Sequence, residues 1–178
     1  MPLNLIKQYP ELLEIMHLTP EQRQASLMKI FKRDIEENPD FKFRGTQIYP
    51  IKTDGEVDMG REFMHLTTER VEEKDEAGNV IKKNVFEPER SKRLHWINHH
   101  LHEKTPANIV VFSVNERDQE KRQDVTKTYI YDKVEKYIIV LGCQRGKGYY
   151  LLTAYHLDRS YSEKQIQKKM KHALPEVQ

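Results

Sequence analysis

The chain has 178 residues and one cysteine, Cys143, which excludes an intramolecular disulfide and a cysteine-rich zinc knuckle. It also has no long apolar run. The longest, Tyr137–Leu141 and Tyr149–Ala154, fall far short of the ~18 residues that a membrane span needs. The stretch from Met1 to Lys7 lacks the apolar core of a secretory signal. These absences predict a cytoplasmic protein that makes no membrane contact.

What is present suits one folded domain, or one domain with a small extension. Charged residues make up 33% and mean hydropathy is −0.83, so the chain is heavily solvated. Nine Tyr, six Phe and one Trp among short apolar runs still allow a core without disulfides or metals. The net charge of +2 hides an asymmetry: residues 1–88 carry −4, and residues 89–178 carry +6 with six of the eight histidines. A basic, histidine-rich half is the kind of surface that meets phosphates, although a merely solvated face has the same composition.

Periodicity divides the chain into an N-terminal helical segment (1–40), a β-rich arm or subdomain (41–86) and a C-terminal α+β domain (87–178). Residues 8–38 read as helical, with a capping box at Thr19-Pro20-Glu21-Gln22 and Leu27, Ile30, Phe31 and Ile35 along one face. Phe43–Ile51 and Arg61–Val71 read as strands split by the turn Thr53-Asp54-Gly55, and Asp75–Asn79 reads as the next turn. Residues 87–103 read as one helix with Leu94, Ile97 and Leu101 inward. Four strands follow at Ile109–Val114, Val125–Tyr131, Tyr137–Leu141 and Tyr149–Leu157, with short links that favour antiparallel neighbours. A second capping box, Ser160 to Glu163, opens a closing helix. The expected fold class is α+β: N-terminal helices and a β-arm, then a helix on a four-stranded antiparallel sheet with a C-terminal helix.

At about 100° per residue along this helix, His95, His99 and His102 fall within about 60° of one another beside Asn98. Imidazole titrates near neutrality and suits acid or base work. His95 and His99 also have the spacing of two metal ligands. Trp96 stands where a zinc protease has Glu, however, and only Glu103 at the edge adds a carboxylate. On the last strand, alternation puts Thr153 and Tyr155 on one face and Leu152, Ala154 and His156 on the other. The neighbouring strand offers Lys127, Tyr129 and Tyr131 on one side. Tyrosines on a sheet stack on bases, and hydroxyls with basic groups grip phosphate, but strand propensity alone also favours Tyr and Thr. The loop Gln144-Arg145-Gly146-Lys147-Gly148 is basic and lets the backbone approach a ligand, without the spacing of a Walker loop.

Taken in order, Arg93-Leu94-His95-Trp96-Ile97, Asn108–Ser113, Lys127–Asp132, Lys136–Leu141 and Tyr149–Tyr155 resemble the phage- and toxin-associated branch of the barnase–EndoU–colicin–RelE (BECR) ribonucleases. The strand Tyr150-Leu151-Leu152-Thr153-Ala154-Tyr155 after its basic loop is the most specific part. The resemblance covers residues 87–160, and Arg61–Thr68 is a candidate extension. It implies a small domain that cleaves RNA without metal or cofactor, using a helical histidine, basic groups on the sheet and a Ser or Thr on the last strand. Those places fall to His95 or His99, Arg145 and Thr153, with Tyr155 and His156 completing the expected catalytic set. Arg93, Arg122, Lys127, Tyr129 and Lys147 are the expected substrate contacts. His65 is a further candidate should the β-rich arm fold over the cleft.

The expected function is therefore a metal-independent endoribonuclease in which the 2′-hydroxyl attacks and leaves a 2′,3′-cyclic phosphate. Such a reaction needs a base, an acid and positive charge on the phosphate. RNA, tRNA included, is the expected partner, and the acidic N-terminal region is a candidate surface for a protein partner or inhibitor. Two alternatives stay open: a non-catalytic nucleic-acid-binding protein, and a metal-dependent hydrolase using His95, His99 and His102.

Overall fold

The protein's structure, a computed structural model, describes residues 3–144, 146–158 and 160–178. Thr19 caps the first long helix: its hydroxyl accepts from the Gln22 N–H and the Gln22 side chain accepts from the Thr19 N–H. Helix α1 (Pro20–Phe31) runs on through a π turn at Lys32–Glu36, and Leu27, Ile30, Phe31 and Ile35 are buried along it. The segment before Thr19, expected to be helical, is mostly not. Its backbone groups are committed elsewhere: Asn4 bonds the N–H and carbonyl of Glu14, Trp96 Nε1 donates to the Glu11 carbonyl, and Leu13 N–H donates to the Lys92 carbonyl. Leu13 and Ile15 are buried by that path.

The expected strand at Phe43–Ile51 is two strands. Arg44 and Gly45, with φ of 49° and 79°, turn β1 (Lys42–Phe43) back on β2 (Thr46–Tyr49). A small hairpin, β3 (Lys52–Thr53) with β4 (Glu56–Val57), closes around Asp54-Gly55. The expected strand at Arg61–Val71 is instead helix α2 (Met59–Thr67), followed by β5 (Thr68–Lys74). Asp58 caps α2 by accepting from the Arg61 N–H, and Phe63 and Leu66, three residues apart, are buried on its inner face. Strand β5 pairs with β6 (Val80–Phe86) around the expected Asp75–Asn79 turn, and among the described residues this hairpin joins no other strand.

The helix expected over 87–103 is broken into α3 (Pro88–Ser91) and α4 (Trp96–Leu101). In an unbroken helix the Lys92 carbonyl would accept from Trp96 N–H. Leu13 takes that carbonyl, and Trp96 N–H turns to Arg93. The break removes the helical phase that was to align His95 with His99 and His102.

The main sheet has six strands, not four. Strands β7 (Ile109–Asp118), β8 (Gln123–Asp132), β9 (Tyr137–Gln144) and β10 (Gly148–His156) run antiparallel in that order. Strand β2 then adds parallel to β10, with β1 outside it. Helix α5 (Ser160–Lys171) covers one face through Ile166 and Met170, over a core of Phe112, Tyr129 and Val140. The larger core lies on the other face and draws on all three segments, with Leu27 and Phe31, Phe43 and Phe63, and Trp96 and Leu141. Among the described residues no helix is long and apolar enough to cross a membrane.

Two details of β10 place the site. Strand β2 pairs only with Tyr149 and Tyr150, so the edge beyond is left to α2 and α3, which both pack on β10. The register also slips between Leu151 (opposite Leu141) and Thr153 (opposite Val140), leaving Leu152 as an extra residue. Leu152 consequently packs on the α5 side with Tyr155, not on the opposite face as alternation predicts.

Candidate active site

Where α2, α3 and β5 meet the free half of β10 they enclose a cleft of about 770 Å³. Helix α2 turns its buried face, Phe63 and Leu66, to the core, while Arg61 and His65, at i and i+4, line the cleft. Arg70 enters from β5 with Asn84 opposite it, Arg90 from α3, and Thr153 and Leu152 from β10. Asp58 is the carboxylate in the lining; the Arg61 backbone N–H and the Thr53 hydroxyl hold it below the usual range.

Arg90 is fixed in place. Its Nη1 donates to the carbonyls of His65 and Thr68, each at 2.8 Å, while Nε is buried with no hydrogen-bond partner among the described residues. These carbonyls belong to the end of α2, where helical acceptors lack partners of their own and a cation is favoured. Half-burial pushes the His65 imidazole below its ordinary range. The charges of Arg61, Arg90 and Arg70 push it the same way, and the Leu152 carbonyl beside it pulls back. The ring is therefore neutral at pH 7. A neutral imidazole keeps one ring nitrogen as an acceptor, the state a general base requires.

Of the residues expected from sequence, His65 and Thr153 line this cleft, and Tyr155 and His156 line a neighbouring pocket that shares Arg90. His95 and His99 lie elsewhere. They sit with α4 on the large core, across the sheet from α5. His95 is 6% exposed, and burial drives it to about 4, with neither ring nitrogen hydrogen-bonded among the described residues. His99 stacks on Tyr9 at 4.3 Å and meets the Thr105 hydroxyl at 3.1 Å; burial and then His100 lower it to about 4. Its neighbour His100 is buried 3.1 Å from Asp132, which also accepts from the Tyr9 hydroxyl at 2.6 Å. This Tyr9–Asp132–His100 group went unremarked in the sequence because its members are far apart in the chain. His102 lies 3.9 Å from Asp40. Among the described residues no group of three or more His, Cys, Asp or Glu is placed to hold a metal ion, so the three histidines do not converge as ligands.

The expected substrate contacts are also dispersed. Arg93 is buried and spends Nη1 on the Glu89 carbonyl and carboxylate. Tyr129 is buried under α5, stacked on Phe112, and its hydroxyl donates to Glu116 at 2.6 Å. The same carboxylate holds Lys127 and Lys169. Arg122 sits in the β7–β8 turn, seven residues from Tyr129, or about 23 Å at the rise of a strand. Lys147 is exposed in the β9–β10 turn, six residues from Thr153, or about 20 Å. Arg145 lies outside the described residues.

Sequence patterning did not find Arg61, Arg70 and Arg90 as partners of His65. The i, i+4 spacing of Arg61 and His65 behind the Asp58 cap was the available signal. Comparison with protein-family models, curated proteins and solved structures finds no match for this chain.

Proposed function

We propose that the protein is a metal-independent endoribonuclease whose working cleft is the one around His65. One observation carries this: a half-buried, neutral imidazole stands among three arginines and a threonine hydroxyl. A neutral base beside fixed positive charge is what phosphodiester cleavage by a 2′-hydroxyl demands. His65 takes the 2′-hydroxyl proton as that oxygen bonds to phosphorus. Arg61, Arg70 and Arg90 face the phosphate oxygens as charge builds on them, and the Thr153 hydroxyl orients them. The P–O5′ bond breaks, and the 5′ oxygen takes a proton from water in the open cleft. The products are a 2′,3′-cyclic phosphate and a 5′-hydroxyl.

The BECR resemblance of residues 87–160 agrees with the last-strand threonine, and the acid–base role moves from the α4 histidines to α2. Incubating the protein with tRNA in EDTA and analysing the new ends tests the proposal. Cyclic phosphate ends support it. Retention of RNA in a complex that weakens steeply with salt, with no new ends, would instead make the protein a nucleic-acid-binding module.

A further inference from the structure

Arg90 lines two cavities. One is the His65 cleft; the other, of about 270 Å³, is lined by Glu69, Glu87, Tyr155, His156 and Asp158. Their charges are opposite in sign. Among the described residues the first sets Arg61, Arg70 and Arg90 against Asp58, and the second sets three carboxylates against Arg90 alone. The same strands serve both. On β5, Arg70 faces the cleft and its neighbour Glu69 the pocket; on β10, Thr153 faces the cleft and Tyr155 the pocket. Thr153 and Tyr155 are two strand residues apart, about 7 Å. Among the described residues, two buried nitrogens at this junction, Arg90 Nε and His156 Nδ1, have no hydrogen-bond partner, and such groups call for a ligand or water.

Resting on the ribonuclease function above, we propose that this pocket receives the nucleobase attached to the phosphate held at His65, and that it selects bases bearing an exocyclic amino group over uracil. Ionised carboxylates only accept hydrogen bonds, so Glu69 and Asp158 match the amino donors of adenine, cytosine and guanine. Uracil carries a carbonyl oxygen where cytosine carries its amino group, so a carboxylate facing that position meets an acceptor instead of a donor. The Arg90 guanidinium lies over the Tyr155 ring, 5.8 Å from its centroid, so the cation and the ring share one wall of the pocket. The phosphate lies toward the arginines and the base toward the acids, which orients one nucleotide across Arg90.

Calorimetric titration with 3′-AMP, 3′-CMP, 3′-GMP and 3′-UMP tests this, with inorganic phosphate as the probe of the cleft alone. The variant is Glu69→Gln/Asp158→Asn, two exposed positions whose replacement leaves the core intact. The wild type binds the amino-bearing nucleotides roughly tenfold more tightly than 3′-UMP. In the variant that preference collapses while inorganic phosphate binds no more weakly. Equal affinity for all four nucleotides, or a preference that survives in the variant, overturns the proposal. If RNA is cut but no preference exists, the pocket assignment alone fails. If the preference exists and RNA is never cut, the ribonuclease function fails and the pocket stands.

Discussion

Arg90 holds the backbone carbonyl of His65 through Nη1 at 2.8 Å, and the same nitrogen reaches the Thr68 carbonyl. One guanidinium therefore closes the end of helix α2, starts strand β5 and adds its charge to the cleft. The geometry of the base and the field around it depend on the same side chain.

Arg90→Ala should cost about 1.5–3 kcal/mol of stability, the usual worth of hydrogen bonds from a charged donor. Arg90→Lys should recover part of the charge in the cleft but not the fixed fork, and so should recover less of the stability. Urea denaturation of the three proteins at one salt concentration measures both. An Arg90→Ala midpoint equal to the wild type would show that the two carbonyl bonds contribute nothing.

Glu62 is 1% exposed on α2; it accepts from the Ile51 N–H through Oε2, and Oε1 has no partner among the described residues. Burial pushes its carboxyl up to about 8. The folded state thus keeps a proton that the unfolded state releases near 4.5, and this group's contribution to stability falls as pH rises from about 4.5 to about 8. Glu62→Gln should be more stable than the wild type at pH 8, on the order of a few kcal/mol, and the gap should narrow toward pH 5. A constant gap across that range would contradict a buried neutral carboxyl.

His95, just before α4, and His99 within it act in the opposite direction. His95 and His99 are held at about 4, below the ordinary 6.5, so the unfolded chain binds protons before the folded one does. Their contribution is fully present above pH 6.5 and is lost as pH falls toward 4. His95→Phe should flatten this acid limb of a thermal-stability profile. An unchanged limb would place the acid sensitivity elsewhere.

Tyr9→Phe removes a bond to Asp132, which is 0% exposed. Burial raises this carboxyl, but the close contact with His100 and the bonds from the Glu135 N–H and Tyr9 outweigh burial and keep it ionised. Losing one of these donors should cost about 1–3 kcal/mol in denaturant, with RNA cleavage unaffected, because the group lies away from the His65 cleft. A large fall in cleavage rate at unchanged stability would tie this network to the chemistry.

Features that depend on local sequence were legible. The Thr19 capping box, the Asp75–Asn79 turn and the apolar runs of β7 to β10 carry their own signals, and each forms where expected. Features decided by distant partners were not. Leu13 breaks the 87–103 helix from 79 residues away by taking the Lys92 carbonyl. Tyr149 and Tyr150 recruit β2 as a parallel neighbour that no short loop announces. The site divides in the same way. Thr153, Tyr155 and His156 were visible as one strand, but the arginines in their cavities come from α2, β5 and α3, gathered by non-local packing on a free sheet edge.

The most direct measurement is the rate of tRNA cleavage in EDTA by the wild type, His65→Ala and His95→Phe, each verified as folded by its urea midpoint. Cleavage should persist in EDTA, fall by about 10²–10⁴ in His65→Ala and stay near wild type in His95→Phe. A folded His65→Ala protein that cleaves at the wild-type rate would contradict a catalytic site at this cleft.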